Sequence, residues 1–309
     1  MEILAQNGWL QLLLICVLVV LAVTKVTLQG ASSRRFIRGT ADSVLFNAQL
    51  FAVIALIFAI VFPKDLFTSW HGWVLAAASA LGTFVFQVTY ALALQCGPVS
   101  LSVLIVNFNV LLTTGFSIVW FGEAVYLSHM IGILLLVSSM CLSIKKETGT
   151  KRFNVKWLIL LVLALVGTAS GTIITQVFTK TVSSGAEQNN FFVVVVYSIA
   201  SLLAFGWYFI GTVGKKGKKC SYGFWNPRVW LFVLLIGADL GIFQLLYIFG
   251  ISCIDGAFLF PTFSGMQSVA MALVGIVLFK DKLSKRQIVG VILGISCVVM
   301  MNMKFVELL

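Results

Sequence analysis

Phe86-Gln87-Val88-Thr89-Tyr90 is written a second time, at one fixed offset, as Phe243-Gln244-Leu245-Leu246-Tyr247, and Cys96 recurs at the same offset as Cys253. Further along, Phe121-Gly122-Glu123 through Gly132 aligns with Phe279-Lys280-Asp281 through Gly290 after a one-residue slip. Each copy takes about half of the 309 residues and is almost wholly apolar. A duplicated apolar half is the sequence signature of a carrier built from two repeats around a shared site.

Composition agrees. Hydrophobic residues make up 60% of the chain and charged residues 10%, where a soluble domain would have roughly a quarter charged. The net charge of +11 does not make a nucleic-acid surface, because the basic residues fall in short clusters between apolar runs and line no track for phosphates. Six cysteines (Cys16, Cys96, Cys141, Cys220, Cys253, Cys297) show no metal-ligand spacing and read as small packing residues. No metal and no cofactor are expected.

Ten apolar runs are long enough, or nearly so, to cross a bilayer, which takes about 20 residues. They are Trp9–Val26, Val44–Phe62, Trp73–Leu94, Val99–Phe121, Met130–Ile144, Trp157–Phe178, Phe191–Thr212, Val229–Ser252, Ala257–Phe279 and Gln287–Met303. Backbone groups in lipid must be satisfied within the segment, so these runs read as helices. Trp70, Trp73, Trp157, Trp225 and Trp230 stand at span ends, as interfacial anchors do. The predicted fold is an all-α integral membrane protein with ten transmembrane helices, and the connections are too short for a separate soluble domain. The first span lacks the flanks of a cleaved signal peptide.

Lys and Arg sort by connection. The odd connections hold eighteen, from Lys25, Arg34, Arg35 and Arg38 to Lys280, Lys282, Lys285 and Arg286; the even connections and tails hold Lys64, Lys180 and Lys304. Cytoplasmic loops carry the positive excess, which places the odd connections in the cytoplasm and both termini outside. Five spans per copy is an odd number, so the second copy enters from the opposite face. The expected organisation is a five-helix repeat at 1–150 and an inverted one at 151–309, enclosing a central cavity near the midplane. Cys96 and Cys253 then lie at opposite surfaces and cannot bridge.

Tyr90-Ala91-Leu92 closing the third span and its echo at Tyr247, Pro261 early in the ninth, Phe121-Gly122-Glu123 closing the fourth and the small-residue run from Gly290 to Gly294 carry a family resemblance. In this order the chain resembles the drug/metabolite transporter superfamily, in its ten-span EamA-like branch. Two departures stand out: Lys280-Asp281 replaces the more usual Gly-Glu, and the charges put the termini outside where many relatives keep them in the cytoplasm. The resemblance implies secondary active transport of a small polar or amphipathic metabolite, often export, across the plasma membrane by alternating access.

Polar residues inside spans are costly and therefore suspect. Gln87 and Tyr90 share a helix face, as do Gln244 and Tyr247; they offer two amides and two phenols to a substrate, or else hydrogen-bond neighbouring helices. Asn107, Asn109 and Gln267 are second-rank binding candidates. Asp239 sits mid-span where Gly82 is its counterpart. It binds a coupling proton, pairs with a cationic substrate, or is a structural Asp. Pro261 is a hinge candidate. Lys25 and Lys180 end the first and sixth spans in matching Thr-Lys contexts and either snorkel to the interface or act as gate charges. Glu123 and Asp281 read as turn residues at helix ends.

Two other carrier readings are a flippase for a lipid-linked head group and an uptake carrier for a sugar or metabolite. An enzyme is not expected: His71 and His129 lie near span ends, no catalytic residue is identifiable, and no HExxH, GxSxG or GxxxxGK[ST] occurs. A passive channel lacks its ring of charges. The expected partners are a small-molecule substrate, a coupling proton and membrane lipid, with no nucleic acid, in a monomer or a homodimer.

Overall fold

The computed structural model describes residues 8–36, 39–61, 69–96, 105–123, 126–143, 155–183, 185–213, 224–279 and 285–301. These residues form helices and no strand. In chain order they are α1 (Gly8–Phe36), α2 (Thr40–Val61), α3 (Trp70–Cys96), α4 (Asn109–Phe121), α5 (Leu127–Ser143), α6 (Val155–Val177), α7 (Ala186–Val213), α8 (Pro227–Cys253), α9 (Gly256–Phe279) and α10 (Lys285–Met301). A π-helical turn, Phe178–Val182, extends α6.

The described part of each of the ten runs read from the sequence falls on these helices. Six helices contain segments long and apolar enough to cross a membrane (Gly8–Gln29, Ala41–Val61, Trp70–Tyr90, Val155–Val182, Ala186–Gly211 and Pro227–Cys253), and shorter apolar helices lie at Ile105–Phe121, Leu127–Ser139 and Ile288–Met300. Two boundaries differ from expectation. α1 does not stop at Val26 but runs on to Phe36. No proline breaks the polar run after Lys25, and the hydroxyls of Thr27 and Ser32 donate to the helix's own carbonyls at Thr24 (2.8 Å) and Gln29 (2.9 Å). Lys25 is thereby a helix-interior residue rather than a helix-end one. In the fourth run the helix breaks at Phe108, so that Ile105–Asn107 and α4 are separate pieces; its expected start at Val99 lies outside the described residues, as do Cys220, Lys280 and Asp281.

The helices pair in a regular way. α3 packs on α6, α1 on α8, α2 on α7, α4 on α9 and α5 on α10; α7 also touches α3, α8 touches α2, α9 touches α1, and α6 touches α4. Exchanging each helix for the one five places away turns α3·α6 into α8·α1, α3·α7 into α8·α2 and α9·α1 into α4·α6. The pairs α2·α7, α4·α9 and α5·α10 return to themselves, whereas the packing of α9 on α10 and α5 has no equally strong equivalent around α4 among the described residues.

The α3·α6 crossing is close. Where α3 meets α6, a Cβ added to Gly82 would stand 2.9 Å from the Gly167 carbonyl oxygen, and one added to Gly167 would stand 2.9 Å from that of Gly82. Bare backbones meet there, the way helices associate in lipid, where burial of apolar surface gives no drive. This crossing also explains why Gly82 stands where the second half has Asp239: a side chain at residue 82 has no room. Large apolar residues such as Trp9, Val119, Trp120, Leu202 and Ile210 face outward, an exposed apolar surface far beyond what a water-soluble monomer presents. Trp70, Trp73 and Trp225 are exposed near helix ends, as expected of anchors, but Trp157 is buried in a cluster with Ala93, Val106, Leu161 and Ala164, packed by Tyr90.

Candidate functional site

Between α1, α2, α3, α6, α7 and α8 lies a cavity of about 160 Å³. Its polar lining comes in stripes. α3 contributes Ser79, Thr83 and Gln87, four residues apart; α6 contributes Thr168, Thr172 and Thr175; α8 contributes Gln244 and Tyr247; α7 gives Tyr197 and α1 gives Lys25. Spacings of three and four keep each set on one helix face. Phe51, Phe86, Phe192 and Phe243 supply the apolar wall. Apolar walls with a few convergent polar groups are the usual make-up of a small-molecule site.

Local hydrogen bonds fix what the cavity presents. The Thr83 hydroxyl donates to the Ser79 carbonyl at 3.0 Å, and the Thr175 hydroxyl donates to that of Gly171 at 2.8 Å. With their protons turned into the helix, these hydroxyls offer acceptor lone pairs to the cavity. Gln244 Nε2 donates to the Tyr197 hydroxyl at 2.5 Å, and the Tyr247 hydroxyl is hydrogen-bonded with Thr172. Tyr247 stacks on Phe243 at 5.3 Å between ring centroids. Tyr90 stacks on Phe86 in the same way at 5.4 Å, so the recurring Phe-Gln-x-x-Tyr motif has one side-chain geometry in both halves.

The structure brings together Gln87, Gln244, Tyr247 and Lys25 on this cavity. It does not bring Tyr90 there, which packs toward Trp157. Asn107 is exposed. Asn109 approaches Thr168 at 3.5 Å, and Gln267 is half-buried on α9; neither lines the cavity. Asp239 lies one residue before the lining Leu240, half-buried, with its Oδ2 unpartnered among the described residues, and its charge interacts through space with that of Lys25. Pro261 is buried within α9.

Lys180, the counterpart of Lys25, has a different fate. Its Nζ donates to Glu123 Oε1 at 2.5 Å and lies 5.0 Å above the Phe121 ring. Glu123 Oε2 accepts from the Ala257 backbone N–H at 2.7 Å. Glu123 is thus a helix-end residue, but the end it caps belongs to α9 and not to the helix that follows it. Gly122, in the left-handed region at φ 62°, ends α4 and turns the chain so that Glu123 can reach across.

A second cavity, about 380 Å³, sits on the π-helical turn, the start of α7 and the end of α8, with Asn189, Asn190 and Ser252 on its wall. Ile248 belongs to both cavities.

Sequence reasoning missed the hydroxyl stripes of α3 and α6, and Tyr197. The four-residue period of Ser79, Thr83 and Gln87 was the available signal. Of the intramembrane polar residues, Gln49 and Gln176 tie their helices to other elements, donating to Phe224 O at 3.1 Å and to the Ser117 hydroxyl, while Asn47 donates to Ser43 O at 2.9 Å within α2.

An apolar-surfaced helical bundle with a polar cavity inside is the build of a polytopic membrane protein. Residues 9–145 match the EamA-like transporter family. The chain therefore carries an EamA-like transporter domain of the drug/metabolite transporter superfamily over those residues. A solved structure described as "Crystal structure of protein" is similar in fold, with a TM-score of 0.73 at 15% identity over 96% of this chain and 97% of its own. No curated protein matches the sequence.

Proposed function

We propose that the protein is a secondary active transporter that moves a small polar or amphipathic metabolite out of the cell by alternating access, and that residues 1–150 and 151–309 are its two inverted five-helix repeats. The observation that carries this reading is the cavity itself: Gln87 from one half and Gln244 and Tyr247 from the other, all from the recurring motif, line one polar hollow. The principal helix pairings α3·α6 and α8·α1, α3·α7 and α8·α2, and α9·α1 and α4·α6, which interchange when each helix is replaced by the one five places away, support the repeat. So does the positive charge of the odd connections, which sets both termini outside the plasma membrane.

The size favours a small molecule over a lipid-linked head group. A volume of 160 Å³ is close to the ~150 Å³ that accommodates a benzene-sized guest. The second cavity, beyond Ile248 on the same elements, suits an access route that is closed at that point. Helices of one chain supply the whole described lining of the site, so a monomer suffices. Asp239 and a proton gradient are the coupling assigned to it.

The test compares metabolites inside and outside cells that make the protein with cells that make the Gln244→Ala form or none. A compound that accumulates outside only with the native protein identifies the cargo. Identical profiles in all three would remove the carrier reading.

A further inference from the structure

The two lysines that match in sequence are not used alike. Lys180 is taken up by Glu123, whose other oxygen holds the start of α9. Its charge is spent on the architecture. Lys25 lines the central cavity and, among the described residues, is the only charged one that does. Among the described residues it makes no contact ion pair, and Asp239 reaches it only through space. A half-buried ammonium without a contact partner inside a lipid-spanning bundle is costly to maintain, and such groups mark a pathway or a ligand.

We infer that Lys25 is the anion-binding group of the central cavity, so that the substrate carries a carboxylate or phosphate. This rests on the cavity being the transport site proposed above. The remaining lining defines the rest of the molecule. Thr83 and Thr175 have turned their protons into their own helices, so they accept hydrogen bonds from hydroxyl or amine groups on the substrate body. Phe51, Phe192 and Phe243 pack its apolar part. Asp239 answers the Lys25 charge while the cavity is empty, and an arriving anion takes over that role at closer range. The second half could not have supplied Lys180 in the same way without breaking its ion pair with Glu123.

The test reads the sign of the cavity's potential and needs no knowledge of the cargo. The full chain, with its six cysteines replaced and Thr175→Cys introduced, is labelled in detergent with two methanethiosulfonates of similar size. One carries a sulfonate and the other a trimethylammonium. A single fixed charge beside the thiol shifts their relative rates by about tenfold. The anionic-to-cationic rate ratio falls about tenfold in Lys25→Gln, is kept in Lys25→Arg, and rises in Asp239→Asn. The last two variants keep the comparison decisive if Lys25→Gln fails to fold. Reaction with both reagents at a ratio indifferent to residues 25 and 239 overturns the anion assignment and leaves the carrier reading standing. Reaction with neither overturns both, because the cavity then admits no water.

Discussion

Glu123 binds Lys180 and the N-terminus of α9 at once: Lys180 Nζ at 2.5 Å on one carboxylate oxygen, the Ala257 N–H at 2.7 Å on the other. Three elements far apart in sequence, the ends of α4 and α6 and the start of α9, meet at one side chain that is 5% exposed. Loss of one partner from a buried ion pair costs about 3–5 kcal/mol, because it strands the other charge. Lys180 keeps 19% exposure and water relieves part of that penalty, so about 2 kcal/mol is the expected loss for Glu123→Gln. Lys180→Met added to Glu123→Gln should cost less than the sum of the single changes. Thermal unfolding of the four proteins in one detergent, followed by tryptophan fluorescence, closes the cycle; strict additivity would mean the contact carries no energy.

Gly122 delivers that carboxylate. It has φ 62°, and nothing lies within 4 Å of an added Cβ, so Gly122→Ala tests backbone strain alone. A side chain in the left-handed region costs roughly 1–2 kcal/mol, and Asn is tolerated better than other residues. Gly122→Ala should therefore lower the unfolding midpoint, with Gly122→Asn falling between Ala and the native protein. An Ala variant as stable as the native chain would show that the turn has another conformation open to it.

How much of this was legible in the sequence follows from range. The spans were legible because apolar length is a local property, and Gln87, Gln244 and Tyr247 were legible because the chain states their motif twice. The Glu123–Ala257 contact was not, since it joins residues from opposite halves and nothing local marks a cap supplied from another helix. Lys25 was misplaced because hydropathy falls at Thr27, whereas the α1 hydrogen-bond ladder continues to Phe36. Thr168, Thr172 and Thr175 look like ordinary small packing residues; only the neighbouring α3 and α8 show which of their faces is hollow.

Gly82 and Asp239 occupy equivalent places in the two copies, but only Gly82 lies in the close α3·α6 crossing. At Gly82 any Cβ meets the Gly167 carbonyl at 2.9 Å, and overpacking of this kind costs about 1–3 kcal/mol. Gly82→Ala and Gly167→Ala should both reduce the yield of folded protein and its unfolding temperature, while Asp239→Gly leaves stability much nearer the native value. Size-exclusion profiles and unfolding curves of the three variants decide it; equal losses at all three would mean the crossing is not as close as the glycines indicate.

Gln244 and Tyr197 form a 2.5 Å hydrogen bond across the cavity wall from α8 to α7. Removing a neutral hydrogen bond costs about 1 kcal/mol of stability, yet the amide also faces the cavity, where its loss affects cargo binding. Tyr197→Phe should cost about that much stability and little transport. Gln244→Leu should add a loss of transport of about tenfold, equivalent to ~1.4 kcal/mol of binding. The readout is the initial rate for the compound found in the metabolite comparison; equal transport loss in the two variants would assign the effect to the hydrogen bond alone.

Pro261 stands one turn inside α9, just after the turn that Glu123 holds. Lacking an N–H, it leaves the Ala257 carbonyl without its helical donor, which loosens the helix where its capped end joins the body. Pro261→Ala restores the donor, so the unfolding temperature should rise. If the loosened turn lets the capped end move against the rest of α9, the same change should lower the maximal transport rate several-fold while the concentration for half-saturation stays put, because no cavity residue is altered. A more stable variant with an unchanged maximal rate would leave Pro261 as a packing kink and move the hinge elsewhere.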